Sequence, residues 1–211
     1  MPKIDLKKEL KDLYNAPVQR PALVDVPEKN FLMIDGMGDP NTSQEFKDAI
    51  EALYSLSYTL KFMVKKENPE NDYVVMPLEG LWRADDMSGF LLGNKDFWQW
   101  TLMIMQPKVI TPEFFHRALK DVTNKKDLPA LPKVRFTSYR EGLSAQIMHI
   151  GPYSEEGPTI QKLHAFIKEN GYTCAGRHHE IYLSDPRRTA PSKLKTVIRQ
   201  PVHAQSARIE P

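Results

Sequence analysis

The feature that most constrains this chain is an apolar strand that ends at a glycine turn and leads into a helix, because this arrangement occurs twice. In the first copy the apolar run 30–35 meets a turn that starts at Gly36, and apolar residues recur every three or four positions over 46–64. In the second copy the run 144–150 meets a turn at Gly151, and Ser154 begins the next helical pattern. Strand periodicity followed by helix periodicity predicts a unit that buries one face of a strand under a helix.

Two further strands follow in each copy. They are predicted at 73–82 and 97–105 in the first copy, and at 177–184 and 193–200 in the second. The sequence therefore predicts an α+β protein of two tandem strand–helix–strand–strand (SHS2) modules. A pseudo-twofold axis would relate the modules, and pockets commonly lie at such interfaces.

The repeat also suggests which residues correspond. Residues 101–107 (TLMIMQP) match 196–201 (TVIRQP), and residues 76–82 lie where 178–183 lie in the second copy. This alignment makes Glu79 and Glu180 counterparts. The boundaries that follow are an N-terminal helix and extended arm at 1–28, a main domain at 29–202 and a tail at 203–211. Within the domain, module one spans 29–107, a helix and linker span 108–133, and module two spans 134–202.

Composition excludes several classes of protein. A formal net charge of +2 in 211 residues is too small for the basic surface of a nucleic-acid-binding protein. The single cysteine, Cys174, permits no intrachain disulfide, and no apolar run approaches the length of a membrane helix. We therefore expect a cytoplasmic protein with no direct nucleic-acid or membrane partner.

Motifs for common cofactors are absent. The Gly36/Gly38 turn lacks the third glycine of a dinucleotide fingerprint and the Gly-Lys-Ser/Thr of a P-loop. No paired-cysteine, His-Glu-x-x-His or Gly-x-Ser-x-Gly motif occurs, and adjacent His178 and His179 face opposite ways on a strand. We predict no metal, no cofactor and no covalent nucleophile.

The strand 177–184 carries the best candidate for chemistry. Alternation places Glu180 and Tyr182 on one face and Ile181 and Leu183 on the other, where the apolar pair favours a core. If the Glu180 face is open to water, the carboxylate is ordinary surface. If that face lines a pocket, a carboxylate beside an aromatic ring is a chemical centre.

Aromatic residues near the predicted turns and strands offer flat walls for a planar or cationic ligand. The candidates are Trp82, Trp100, Tyr153, Tyr172 and Tyr182. The alternative is that Trp98 and Trp100, which share a strand face, belong to the core. His149 lies just before Gly151 and would face the same pocket.

Five segments of the chain resemble the GyrI-like small-molecule-binding family. They are 31–40 (FLMIDGMGDP), 77–82 (PLEGLW), 149–153 (HIGPY), 179–188 (HEIYLSDPRR) and 193–199 (KLKTVIR). The resemblance extends from about residue 31 to residue 202. The family includes effector-binding domains of multidrug-responsive regulators and stand-alone hydrolases of cyclopropanoid natural products.

The resemblance implies antiparallel sheets and a ligand cleft between tandem SHS2 modules, with a glutamate of the second module at the base of the cleft. Glu180 matches that glutamate. Only about thirty residues precede the first module, too few for a helix-turn-helix domain, so the stand-alone hydrolases are the better match. The expected activity is opening of the cyclopropane ring of DNA-alkylating cyclopropanoids, which would detoxify them.

In that reading Glu180, Tyr153 and Tyr182 are catalytic. The expected ligand-binding residues are Trp82, Trp100, Tyr172, Glu79 and His149, and the ligand is a hydrophobic aromatic small molecule. The alternatives are a non-catalytic protein that sequesters flat or cationic molecules, and a gyrase-inhibitor-like protein that binds a partner. The sequence leaves the oligomeric state open.

Overall fold

The chain divides into two units, each built on an antiparallel sheet. The computed structural model describes residues 3–83 and 98–205. Unit 1 comprises Met1–Leu10 and Glu28–Tyr139, and unit 2 comprises Lys11–Pro27 and Arg140–Pro211. No helix among the described residues is long and apolar enough to cross a membrane.

The described residues form nine strands and five α-helices. The strands are β1 (Ala22–Val26), β2 (Lys29–Met37), β3 (Leu78–Arg83), β4 (Gln99–Gln106), β5 (Arg135–Tyr139), β6 (Gly142–Ile150), β7 (Tyr172–Cys174), β8 (His178–Tyr182) and β9 (Lys195–Ala204). The helices are α1 (Leu6–Glu9), α2 (Lys11–Tyr14), α3 (Gln44–Glu67), α4 (Pro112–Thr123) and α5 (Gly157–Glu169). Mixed helices and antiparallel strands confirm the predicted α+β class.

In unit 1 the strand order is β3–β4–β2–β5, and every pair is antiparallel. The long helix α3 covers one face of this sheet. It begins after Ser43, whose hydroxyl accepts a hydrogen bond from the Phe46 N–H at 3.2 Å. Gln106 on β4 donates to Ser57 on α3 at 3.3 Å, which identifies the even-numbered residues of β4 as the face under the helix.

The face under α3 is apolar. Leu32 and Ile34 of β2 and Leu102 and Ile104 of β4 are each fully buried. Burial of one such side chain stabilises a fold by about 1.5–3 kcal/mol. This layer supplies much of the stability of unit 1.

Gly36 has a packing role that differs from the predicted one. It lies inside β2 rather than in a turn, directly across from Trp100 on β4. The Trp100 indole occupies the position that a Cβ at residue 36 would take. Gly38, with a φ of +112°, is the glycine that turns the chain.

In unit 2 the strand order is β1–β6–β9–β8, and β7 pairs with the end of β9. Helix α5 packs on this sheet through an apolar cluster. The buried members are Ala145, Ile147, Leu163, Ile167, Ile198 and Val202. Strand β1 lies within the segment predicted as an extended arm, and it pairs with β6 from Ala22–Gln146 to Val26–Gly142.

Several predicted boundaries shift for local reasons. Helix α5 begins at Gly157 rather than at Ser154, because Tyr153–Glu155 forms a 3₁₀ turn first. Strand β3 begins at Leu78 rather than at residue 73, since Pro77 has no N–H to donate to a ladder. The predicted start of the next strand, Phe97, lies outside the described residues.

Candidate functional site

In unit 2, the side chains of β8 hold Glu180 in a hydrogen-bonded setting. The Tyr182 hydroxyl donates to Glu180 Oε2 at 2.7 Å, and His178 Nε2 lies 3.3 Å from Glu180 Oε1. Glu180 is 8% exposed. The alternative of a carboxylate on open surface is therefore excluded.

Glu180 lies on the face of the sheet that α5 covers. Its cross-strand partner is Ile198, which belongs to the apolar cluster under α5. Residues directly opposite in an antiparallel pair point to the same face. Ile181 on the other face is fully buried, as predicted, so β8 has both faces covered.

A second carboxyl group, Glu156, accompanies Glu180. It lies just before α5 and is 5% exposed. Burial raises the pKa of Glu156 to about 9, with a further contribution from the negative charge of Glu180. The Thr196 hydroxyl lowers the pKa of Glu156 in part. Glu156 Oε1 and Thr196 Oγ1 are nevertheless both buried without a hydrogen bond of normal geometry.

The two carboxyl groups form an acid–carboxylate pair. A pKa of about 9 keeps the proton on Glu156 at neutral pH. Two neighbouring carboxyl groups cannot easily both ionise in a desolvated site, so the negative charge of Glu180 favours the protonated form of Glu156. This is the arrangement in which one group serves as acid and the other as base.

No sequence pattern distinguishes Glu156 as a buried residue. It is the second residue of a Glu155-Glu156 pair next to a predicted turn, a setting typical of surface. Glu155 is exposed as expected, whereas the 3₁₀ turn directs Glu156 inward. Only the three-dimensional turn distinguishes the two glutamates.

Three other predicted residues of unit 2 have distinct settings. Tyr153 is 40% exposed, and its ring meets that of Tyr182 edge to face with centroids 5.5 Å apart. Tyr172 packs against the apolar cluster under α5. His149 is buried, with Nδ1 3.0 Å from Thr159 Oγ1 and Nε2 3.2 Å from the Pro152 carbonyl oxygen. Both nitrogens of His149 are therefore engaged in joining the glycine turn to α5.

The remaining predicted residues belong to unit 1. Trp82 and Trp100 are 4% and 1% exposed, and both rings contact Phe46 of α3. Glu79 is buried, and its cross-strand partner is Met103, so it lies on the face away from α3. Trp82 and Trp100 are thus members of the aromatic packing under α3.

The opposite face of the unit 2 sheet carries a buried ionic network. Glu141 accepts from His179 Nδ1 at 3.0 Å and from Arg199 at 3.1 Å. Arg199 also donates to Gln146 Oε1 at 3.0 Å and to the Leu13 carbonyl at 2.6 Å. Burial alone would raise the pKa of Glu141, but the charges of His179 and Arg199 lower it to about 2.

The network also explains the two adjacent histidines. His178 lies beside Glu180, and His179 lies beside Glu141 on the other face, which confirms that they point in opposite directions. Among residues 3–83 and 98–205, no group of three His, Cys, Asp or Glu side chains is arranged to hold a metal ion.

The model of the GyrI-like small molecule binding domain matches residues 19–203 of the chain. A solved structure described as an uncharacterized conserved protein from Listeria innocua is similar, with 41% identity and a TM-score of 0.87, over 95% of this chain and 100% of that one. Two further structures from Listeria innocua are each described as a hydrolase. They are 39% and 38% identical, with TM-scores of 0.82 and 0.83, and cover 95% and 96% of this chain and 100% of their own. No curated protein matches the chain.

Proposed function

This chain belongs to the GyrI-like small-molecule-binding family, and we propose that it is a hydrolase that opens the cyclopropane ring of DNA-alkylating cyclopropanoid natural products. Such an activity would detoxify these molecules. Two similar proteins from Listeria innocua bear the description hydrolase, which supports the reaction class but names no substrate. The substrate class rests on the family likeness described above.

The observation that carries the proposal is the pair formed by Glu180 and Glu156. A hydrolase needs a group that accepts a proton from water and a group that returns one to the product. Glu180 is buried and positioned by Tyr182, and Glu156 holds its proton at neutral pH. In the proposed reaction Glu180 is the base and Glu156 is the acid, and both lie in unit 2.

The proposed reaction adds one water molecule to the substrate. The water oxygen forms a bond to a cyclopropane carbon, and the ring bond between that carbon and the dienone of the substrate breaks. The electron pair of that bond moves through the dienone to its oxygen, which becomes a phenolate. Glu180 accepts the proton that water loses, and ring strain contributes to the driving force.

The phenolate then needs a proton donor. Tyr182 already donates its hydroxyl hydrogen to Glu180, so it orients the base rather than serving as the acid. Tyr172 packs in the apolar cluster. Glu156 and the partly exposed Tyr153 remain as donors, and we assign the step to Glu156, whose pKa responds to the charge of Glu180. Transfer of the proton from Glu180 to Glu156 after product release restores the starting state.

A second function draws on the same residues. The Tyr153 ring, which contacts Tyr182, and the Glu180 carboxylate that Tyr182 hydrogen-bonds also suit a flat cation, which gains from a ring face and from a carboxylate. A protein that binds and sequesters such molecules needs the Glu180 charge but no proton on Glu156. The two functions therefore differ in what they require of Glu156.

The test is incubation with a cyclopropanoid alkylating agent, followed by mass spectrometry of the product. We expect a gain of one water molecule, with kcat reduced about 100-fold or more in Glu180→Gln. Glu155→Gln is the matched control, because Glu155 is exposed beside Glu156 and its loss should leave turnover unchanged.

Two results would contradict the proposal. Turnover that persists in Glu180→Gln would show that Glu180 is not the general base. Ligand that is retained unchanged by the wild-type protein would support the sequestering function instead.

A further inference from the structure

A shallow groove in unit 1, remote in sequence from Glu180, has the composition of a ligand site. One wall is α3, and the other is the C-terminal end of α4 with the residues that follow it. Its volume is about 340 Å³, which lies within the range of small-molecule sites. The lining residues are Tyr54, Ser55, Tyr58, Thr59, Phe62, Val122, Lys125 and Lys126.

Three aromatic rings form a continuous ladder along the α3 wall. Tyr54, Tyr58 and Phe62 are four residues apart, so they lie above one another on one face of the helix. Neighbouring ring centroids are 6.4 Å apart with interplanar angles of 29°. Tyr58 is 47% exposed and Phe62 is 58% exposed. Single exposed apolar residues are common, but an exposed row of rings is typical of a binding surface.

The opposite wall is positively charged. Lys125 and Lys126 are the charged residues among the described groove lining, and neither forms an ion pair with a described residue. Lys126 Nζ donates to the Ser55 hydroxyl of α3 at 3.1 Å, which links the two walls. The groove therefore joins a flat apolar surface to two ammonium groups.

We propose that this groove binds a small, flat aromatic anion, such as an aromatic carboxylate or sulfonate. The ligand rings would pack on Tyr58 and Phe62, and the acid group would meet Lys125 and Lys126. A flat cation of the same shape would meet two like charges and bind poorly. A second copy of the chain would bring two more lysines to the same place, so self-association is disfavoured.

The test uses 2-naphthoate as the anion and 2-naphthyltrimethylammonium as the cation of matched shape. In NMR titrations of the full chain, we expect 2-naphthoate to shift the Val122 methyl signals and the ring signals of Tyr54, Tyr58 and Phe62. Tyr58→Ala should weaken binding about tenfold, as the loss of a stacked ring predicts. Replacing Lys125 and Lys126 together with glutamine should weaken binding of the anion and not of the cation.

Two controls separate this site from the proposed hydrolase site. Glu180→Gln should bind 2-naphthoate as the wild type does, whatever its effect on turnover. Lys66→Gln, an exposed lysine of α3 outside the groove lining, should also leave binding unchanged. The proposal is overturned if the cation binds as tightly as the anion, if the shifts fall outside the groove, or if sedimentation shows a dimer that Tyr58→Ala dissociates.

Discussion

Units 1 and 2 share an order of elements but differ in what they place at equivalent positions. Each has a nine-residue strand, β2 or β6, that leads through a positive-φ glycine toward a helix, α3 or α5. In unit 1 β4 lies between β2 and β3, and in unit 2 β9 lies between β6 and β8. Under its helix, unit 1 places aliphatic and tryptophan side chains with the hydrogen-bonded Gln106, whereas unit 2 places the Glu180 carboxyl group beside its apolar cluster. The same backbone thus serves a packing layer in one unit and a candidate reaction centre in the other.

The register of the strands shows which residues are truly equivalent. Ile104 and Ile198 both lie two residues before a Gln-Pro pair that ends the match between β4 and β9. The cross-strand partner of Ile104 is Leu78, and that of Ile198 is Glu180. Leu78 is therefore the counterpart of Glu180. The predicted correspondence of Glu79 with Glu180 is wrong by one residue. A shift of one residue on a strand moves a side chain to the opposite face.

The largest expected effect concerns the ionic network that unit 2 buries. Glu141→Gln leaves His179 and Arg199 without their carboxylate, and breaking a buried pair costs about 3–5 kcal/mol in the free energy of unfolding. Glu67→Gln in unit 1 is the control, because its pair with Arg117 is about half exposed and should contribute under about 1 kcal/mol. Urea unfolding measures both, and equal losses would contradict the contrast.

The pH dependence of the same network has a definite sign. The pKa of Glu141 is lowered to about 2 in the folded protein from an ordinary value of 4.5. Its stabilisation is therefore complete above about pH 4.5 and is lost as pH falls toward 2. Glu141→Gln is less stable than the wild type at neutral pH, so we expect it to unfold at a higher pH on acidification. Its free energy of unfolding should also fall less steeply below pH 4.5 than that of the wild type.

A smaller effect is expected in the aromatic packing of unit 1. Gly36→Ala would place a methyl group where the Trp100 ring lies, which should cost about 2–3 kcal/mol. Gly157→Ala in unit 2 is the control, since nothing lies within 4 Å of its added Cβ. That variant should be neutral or gain about 0.4–1 kcal/mol. Tryptophan fluorescence during urea unfolding measures both changes, and a neutral Gly36→Ala would refute the close approach.

A gain in stability that depends on pH is expected when Glu156 is replaced. Its folded pKa of about 9 exceeds the ordinary value of 4.5, so the folded protein binds the proton more tightly than the unfolded chain. The stability that this proton provides is complete below about pH 4.5 and is lost as pH rises toward 9.

Glu156→Gln removes that dependence, because the amide keeps its hydrogens at every pH. We expect the variant to match the wild type at pH 4 and to exceed it in stability at pH 8, because each pH unit above about 4.5 costs the wild type about 1.4 kcal/mol until the folded pKa is reached. Glu155→Gln, exposed and adjacent, should show no such trend. Urea unfolding across this pH range distinguishes them, and parallel curves for Glu156→Gln and the wild type would count against the buried pair.

Much of the fold could be predicted from the sequence because it depends on periodic patterns. The apolar rows of α3 show which face of that helix is covered, and the alternation of β8 correctly places Glu180 and Tyr182 on one face and Ile181 on the other, although the structure covers both faces of β8. Strands β1 and β7 were not predicted, because they are short and their pairing depends on partners far away in the chain. Proline positions showed only that the N-terminal segment is extended.

The site was less predictable for a physical reason. The environment of Glu156 is set by one 3₁₀ turn, and the distinction between Glu79 and Glu180 is set by a register of one residue. Neither depends on residue type or spacing in a way that a single sequence reveals. Burial of a carboxyl group is a property of three-dimensional packing, and it determines the pKa on which the chemistry depends.

The most direct test of the acid–carboxylate pair is a carbon-detected NMR titration of the glutamate side chains, with Glu156 assigned by its absence in Glu156→Gln. We predict an apparent pKa near 9 for Glu156 in the wild type. In Glu180→Gln, where the neighbouring negative charge is gone, we predict that this pKa falls. A Glu156 signal that titrates near 4.5, or one whose pKa does not change in Glu180→Gln, would contradict the account.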